Sequence, residues 1–451
     1  MELSNVKNVY FIGIGGIGMS ALARYFLNRG CVVGGYDKTK TSLTQALESE
    51  GMTISYVDEP DSIGAEFTNT EEQPLIVYTP AIPRDSLIVD YFKRNNFRLF
   101  KRSEVLGVIS KGQFCIAVAG THGKTTTSSI VAHLLTASGF GCTAFLGGIA
   151  TNYNSNFLIG NNDVVVIEAD EYDRSFLTLH PDISVITSMD ADHLDIYGDI
   201  SQLVESFTLF RKQIKTNGTV FIKSDLPLQG ITYSVGDDAA LIKGQNIRVE
   251  DENFQFDYVG VNQRINGITL SLPGMHNVEN AVAAISVALK LGIDPNKIKL
   301  AISTFKGIKR RFEYIVKSES NIYIDDYAHH PKELSACFSA VRQLYPDKKL
   351  TVIFQPHLFT RTRDFADDFA KVLGTVDSLI LLDIYPAREL PLAGVSSQLL
   401  LDKISLSDKE ICTKDTAMKR IATERPELLL TVGAGDIDTL IEPLKTLLGN
   451  A

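Results

Sequence analysis

The sequence has no Cys-x-x-Cys pair, and its five cysteines (Cys31, Cys115, Cys142, Cys337 and Cys412) are scattered over 451 residues. That spacing argues against a thiolate metal site or a disulfide framework. It leaves small apolar core residues in a reducing compartment as the expectation. No apolar run reaches the roughly 20 residues that a membrane-spanning helix needs, so no membrane insertion is expected. The opening MELSNVKNVYFIGIGG lacks the charged start, long apolar stretch and cleavage site of a secretory signal, and a cytoplasmic protein is expected. Basic charge is scarce: 44 Lys and Arg face 54 Asp and Glu, for a net charge of -10. A general nucleic-acid binder draws its affinity from cations that neutralise phosphates, so this balance argues against one. A nucleotide pocket needs only a few local donors and is not excluded. There is no internal repeat and no low-complexity stretch.

What is present is ordinary globular material, 44% hydrophobic and 22% charged. At roughly 100–200 residues per domain, the length suggests two to four domains. Short β-branched runs alternate with helical patterns: VYFIGI at 9–14, PLIVYT at 74–79, FCIAVA at 114–119, DVVVIEAD at 163–170, LTVIFQ at 350–355 and SLILLD at 378–383. Runs of this length between helices suggest parallel strands covered on both faces, an α/β fold. Three segments look separately organised, at 1–107, 108–307 and 308–451. The second closes after the apolar-faced helix HNVENAVAAISVALKLG at 276–292, which stops at a glycine.

The strongest chemical signal is AVAGTHGKTTTSSIVAHLL at 117–135. A strand enters a turn of small residues (Gly120, Thr121, His122, Gly123), and Lys124, Thr125 and Thr126 then open a helix. Backbone N–H groups and the helix N-terminus suit a phosphate there. Lys124 would neutralise the β- and γ-phosphates of ATP, and Thr125 would bind Mg²⁺. Val118 stands where the general phosphate-loop pattern has its first glycine. A second turn, GIGGIGMS at 13–20, fits G-x-G-x-x-G through Gly13, Gly15 and Gly18, and Asp37 ends the next strand. Alone it fits a nicotinamide-dependent oxidoreductase or a plain tight turn equally well. Beside a phosphate loop in another segment, it suggests a second nucleotide-bearing molecule. In VVVIEADEYDRSF at 164–176, Glu168 ends an apolar strand and offers a hard oxygen ligand, whereas Glu171 and Asp173 read as a solvated acidic loop. Six of the eight histidines fall in turns: His122, His193, His276, His329, His330 and His357. His133 and His180 look incidental. Arg310 and Arg311, and Arg361 and Arg363, could each grip a carboxylate or phosphate.

Taken in order, GTHGKTTT, EADEYD, the Asp-His pair of DADHLD, GMHNVENA, KRRFE, DDYAHHP and PHLFTRTR resemble the Mur ligase family. The resemblance runs from about Gly13 to Gly435. It implies a Rossmann-like N-terminal domain for a UDP-sugar, a central P-loop ATPase domain, and a Rossmann-like C-terminal domain for an amino acid. GIGGIGMS and DDYAHHP look most like the branch that adds L-alanine to UDP-N-acetylmuramate, using ATP and Mg²⁺, in peptidoglycan precursor synthesis. Carried over by motif, the catalytic residues are Lys124, His193, Arg310 and His329. The nucleotide is held by the 120–126 turn, His276, Asn277, Asn280, Arg310 and Asp325, and the metal by Thr125, Glu168 and His193. The substrates are held by Gly13, Gly15, Gly16, Gly18, Met19, Ser20 and Asp37, and by Tyr327, His329 and Arg361. The stretch 206–210 lacks the lysine that sister ligases carbamylate, so that modification is not expected. Leu358 stands where alanine-adding relatives often have an arginine, which puts the carboxylate load on Arg361 or Arg363. A recycling ligase that attaches a ready-made murein tripeptide shares most of these motifs. A non-catalytic nucleotide-binding regulator would leave the His and Arg clusters of the third segment unexplained. A monomer or homodimer is expected.

Overall fold

The computed structural model describes residues 3–71, 73–83, 85–190, 197, 199–387 and 389–449. The apolar runs become strands because their side chains are buried on both faces. All five positions of β1 (Asn8–Ile12) are covered. With β2 (Val32–Tyr36), β3 (Thr53–Ser55), β4 (Leu75–Tyr78) and β5 (Leu99–Lys101) it forms an all-parallel sheet in the order β3-β2-β1-β4-β5.

The middle sheet has ten strands: β6 (Phe114–Ala119), β7 (Thr143–Ala150), β8 (Ser155–Leu158), β9 (Val164–Ala169), β10 (Ile183–Ile186), β11 (Thr219–Lys223), β12 (Ile231–Val235), β13 (Ile242–Glu250), β14 (Asn253–Val259) and β15 (Arg264–Leu270). Their order is β15-β14-β13-β12-β11-β10-β6-β9-β7-β8. The parallel register pairs Val118 with Glu168, and Ala119 with both Ala169 and Ile186. The carboxyl ends of β6, β9 and β10 therefore stop level with one another, where α/β sheets place ligands. The expectation of parallel strands fails for β7 and β8, which pair antiparallel. Four residues separate them, too few for a crossover, and Asn154 turns the chain at φ +48.

The third sheet comprises β16 (Glu313–Lys317), β17 (Ile322–Asp326), β18 (Leu350–Phe354), β19 (Ser378–Leu381), β20 (Lys409–Ile411) and β21 (Leu428–Val432), in the order β16-β17-β21-β18-β19-β20. Only β16 is antiparallel to its neighbour. The chain divides into two compact units: Met1–Asn246 with Phe256–Ile268 and Glu279–Phe305, and Ile247–Gln255 with Thr269–Val278 and Lys306–Ala451. All five cysteines carry free thiols, and four are buried. Among the described residues, no helix is long and apolar enough to cross a membrane.

Within the first unit, the helix Ile17–Asn28 packs on β7 and β8. Tyr25 lies 5.5 Å from the Phe145 ring. Fully buried Asn156 accepts from Arg24 Nη1 at 2.5 Å and donates to the Ile17 carbonyl and to Ser20 Oγ. Removing this buried side chain takes away the acceptor of Arg24 Nη1 and leaves the Ile17 carbonyl and Ser20 Oγ with only each other. Asn156→Ala should therefore cost about 2–3 kcal/mol. Chemical unfolding will test this, and a midpoint equal to that of the wild type would mean the contact carries no stability.

Candidate active site

At the end of β6 the chain turns through Gly120 (φ +144) and Gly123 (φ +80) into the helix Lys124–Ala137. A side chain at Gly123 would be strained, and its Cβ would press on Asn280 Oδ1 at 2.8 Å. The carboxyl end of β10 braces the turn from the far side. Ser188 Oγ accepts from His122 N at 2.7 Å and lies 3.0 Å from Thr121 Oγ1, and Thr187 Oγ1 donates to the Ala119 and His122 carbonyls. Asn280 Oδ1 accepts from Thr127 Oγ1 at 3.1 Å. His122 Nε2 lies 3.6 Å from Asp190. Ser188 takes the Thr121 and His122 N–H groups, so the donors turned to a phosphate chain are those of the helix N-terminus that opens at Lys124. Thr126 is buried beneath the turn.

The acidic strand end faces this turn. Thr125 Oγ1 donates to Glu168 Oε1 at 3.0 Å, and Gly147 N donates to Oε2 at 2.8 Å. Burial pushes the Glu168 carboxyl up, and the Lys124 charge and the Thr125 hydroxyl pull it back. Glu171, expected in solvent, is fully buried and sits 2.7 Å from Lys124 Nζ. Lys124 Nζ also donates to the Gly120 carbonyl at 2.6 Å. Burial works against the lysine charge, but Glu171, Asp170 and Glu168 outweigh it and hold its pKa above the ordinary value. His193 lies outside the described residues.

The first glycine turn is closed by Asp37, whose carboxylate accepts from Gly15 N at 2.8 Å and Thr39 N at 3.1 Å. Gly13 has φ +89, and Gly16 precedes the helix. At Gly18 any Cβ would overlap the Arg102 guanidinium, which lies across the helix start and reaches Asp170 at 3.3 Å. Met19 and Ser20 are buried. The Ser20 hydroxyl donates to Ile17 O and accepts from Asn156, so these two face the packing side of the helix rather than the turn.

His133, which looked incidental, is a buried brace 2.9 Å from both Tyr153 Oη and the Ala301 carbonyl.

In the second unit, the loop after β17 gathers another cluster. Arg310, in the left-handed region at φ +61, bonds to Asp325 Oδ2 at 3.0 Å and to the Gly433 carbonyl at 2.7 Å. The Arg310 and Arg311 guanidinium groups each lie 5.2 Å from the Tyr327 ring. Asp325 is fully buried, and its second oxygen accepts from Thr431 Oγ1 at 2.6 Å. Both of its oxygens therefore already have protein donors. Burial pushes Asp326 up to about 6, against the pull of Arg311 and the Ala328 and Phe312 backbone donors. His329 Nδ1 lies 2.9 Å from the Tyr327 carbonyl, which can only accept, so this nitrogen carries the proton. The His329 ring lies 5.7 Å from His357, which stacks on Tyr385. Buried Arg361 approaches His357 Nδ1 at 3.4 Å, whereas Arg363 is exposed and paired with Asp364. Leu358 turns at φ +70 with its side chain buried. His330 caps the helix Pro331–Leu344. His276 and Asn277 lie in the first turn of the helix Met275–Lys290, where Asn277 Nδ2 donates to the Pro273 carbonyl.

Family models match the chain in three stretches: the Mur ligase family catalytic domain at 8–114, the Mur ligase middle domain at 118–288, and the Mur ligase glutamate ligase domain at 310–435. The UDP-N-acetylmuramate–L-alanine ligase of Christiangramia forsetii is 48% identical over 444 residues, 98% of each chain. The chain belongs to the Mur ligase family. A solved UDP-N-acetylmuramate-alanine ligase from Thermotoga maritima matches this Mur ligase at a TM-score of 0.83 and 26% identity, covering 99% of this chain and 100% of its own. A murein peptide ligase from Psychrobacter arcticus matches at 0.71 and 23% identity, covering 99% of each, a likeness of fold. The three-domain α/β architecture of this Mur ligase agrees with the expectation.

In this Mur ligase, Lys124, Thr125 and Glu168 come together at the carboxyl ends of β6 and β9. Arg310, Asp325, Tyr327, His329 and Arg361 come together in the second unit. Glu171 and Arg102 escaped the sequence reading. Glu171 stands inside the EADEYD motif, separated from the metal-binding candidate Glu168 only by Ala169 and Asp170, which was the available signal. Arg102 had none, because its approach to Gly18 depends on tertiary packing.

Proposed function

We propose that this Mur ligase joins L-alanine to the lactyl carboxylate of UDP-N-acetylmuramate, with ATP as phosphoryl donor. The observation that carries the reading is the meeting of Lys124, Thr125 and Glu168 at the carboxyl ends of β6 and β9, in a chain 48% identical to an alanine-adding relative. Amide formation from a carboxylate needs activation. The γ-phosphoryl group passes from ATP to the carboxylate, leaving ADP and an acyl phosphate. The alanine amine attacks its carbonyl carbon, the C–O bond to phosphate breaks, and phosphate leaves. Lys124 and the helix N-terminus hold the transferring group and stabilise its charge.

Mg²⁺ fits the donor set, because the Thr125 hydroxyl and Glu168 carboxylate are hard oxygen ligands set beside the phosphate turn. Among the described residues, no three His, Cys, Asp or Glu side chains form a cage, and Mg²⁺ commonly takes one or two carboxylates plus substrate phosphates. When bound, it neutralises phosphate charge. We assign 1–107 to the UDP-sugar, 108–307 to ATP and 308–451 to the amino acid. Gly13, Gly15, Gly16 and Gly18 approach the diphosphate with Arg102 above them, while Asp37 supports the turn and Met19 and Ser20 anchor the helix behind it. Asp325 orients Arg310. Arg361, beside Tyr327, His329 and His357, takes the alanine carboxylate in place of the arginine that Leu358 replaces. We place the reaction in the cytoplasm, where its nucleotide substrates are.

Phosphate release should require both UDP-N-acetylmuramate and an amino acid. L-alanine should be the best amine. Glycine lacks one methyl and serine adds a hydroxyl, differences worth roughly 10–200-fold in rate. A competition assay that includes the L-Ala-D-Glu-diamino-acid tripeptide checks this, and preference for the tripeptide would make the protein a recycling ligase.

A further inference from the structure

Lys124 does not point into open space above the phosphate turn. Its ammonium is folded back between the Gly120 carbonyl at 2.6 Å and the Glu171 carboxylate at 2.7 Å. The Glu171 side chain is 1% exposed and that of Lys124 14%, so both charges sit away from bulk water. The segment bearing Glu171 is tied down on several sides. Tyr197 Oη donates to its backbone carbonyl at 2.6 Å, and Lys101 grips Asp173 at 2.7 Å. Asp173 and Arg174 both adopt the left-handed region, at φ +53 and +54, which side-chain-bearing residues occupy only when their surroundings hold them there. The carboxylate is thus presented to Lys124 by a stiff, partly strained loop.

We propose that Glu171 is the resting counter-ion of Lys124, and that the phosphates of the incoming nucleotide must take the lysine from it. The proposal rests on the ATP reading of this turn. Anionic phosphate and Glu171 compete for one ammonium, and they repel each other across it. Part of the intrinsic affinity for nucleotide is therefore spent in breaking the pair. A protein whose binding-competent state is not its resting state binds more weakly by the corresponding factor. Glu171 is on this account a positioning residue. It keeps Lys124 charged and aimed while the turn is empty, and it weakens nucleotide binding so that ADP can leave.

The test is calorimetric titration of the full chain with ADP in EDTA, which removes divalent metal from the comparison, for the wild type and Glu171→Gln. Saturable binding of ADP by the wild type tests the ATP reading by itself. Given that binding, the expected result is an affinity at least fivefold higher for Glu171→Gln. The melting temperature should be lower than that of the wild type without ADP, because Lys124 has lost its buried partner, and the gap should narrow with ADP. An equal or weaker affinity, or an unchanged ADP-induced melting shift, would overturn the proposal. Should Glu171→Gln not fold, Glu171→Asp withdraws the carboxylate by one methylene and should bind ADP two- to threefold more tightly. Unchanged binding there would overturn the proposal as well.

Discussion

Lys124→Ala should lower kcat for ligation by roughly 10²–10³-fold, about 3–4 kcal/mol of lost charge stabilisation on the transferring phosphoryl group. Read from sequence, the substitution looks structurally mild, since Lys124 opens a helix and alanine is a good helix former. The structure adds a second effect. Alanine at 124 leaves Glu171 buried with its nearest cation gone, and breaking a buried pair from one side costs about 3–5 kcal/mol. The single variant should therefore be both inactive and less stable. Lys124→Ala combined with Glu171→Gln removes the stranded charge. The double variant should recover most of the wild-type melting temperature while staying inactive. Ligation near the wild-type rate by the folded double variant would remove Lys124 from the phosphate site.

The sequence was most readable where chemistry is contiguous. Strand β6 ends at Ala119, and the helix begins at Lys124, so the whole phosphate turn lies in one stretch whose glycines announce it. The apolar runs at 9–14, 74–79, 114–119, 163–170, 350–355 and 378–383 each contain a strand. The first run stops short at Ile12 because Gly13 takes a left-handed turn. What stayed hidden depends on partners far away along the chain. Asn156 meets Arg24 across 132 positions, and Glu171 meets Lys124 across 47. Those meetings are set by the registers of β6 with β9 and by the packing of a helix on β7 and β8. The polarity of a run such as DEYDR does not reveal them. Polarity suggested a solvated loop, yet one carboxylate of that run is buried because a lysine at the start of the helix after the neighbouring strand supplies its counter-charge. The same limit applies to Asp325. Its motif suggests contact with ligand, but its carboxylate is fully buried and accepts from Arg310 and from a threonine on β21.

Glu168→Gln should raise the Mg²⁺ concentration needed for half-maximal activity by about 10- to 100-fold, with binding of UDP-N-acetylmuramate unchanged. The substitution keeps the size of the side chain and exchanges one oxygen for an amide. The amide oxygen can still accept from Gly147 N, and the amide nitrogen can turn to Thr125 Oγ1, which is able to accept. The strand end should therefore hold its shape, and the loss falls on charge. A hard cation draws most of its binding from anionic oxygen, and Thr125 alone offers only a neutral one. Glu168 also helps to hold the charge on Lys124, so a smaller fall in kcat at saturating Mg²⁺ should accompany the shift. Glu168→Asp retains the charge on a shorter arm and should fall between the two. Titrating Mg²⁺ against phosphate release at fixed, saturating ATP separates the two components. Superimposable Mg²⁺ curves for wild type and Glu168→Gln would show that the carboxylate is not a metal ligand and that its hydrogen bond to Thr125 serves only to shape the turn.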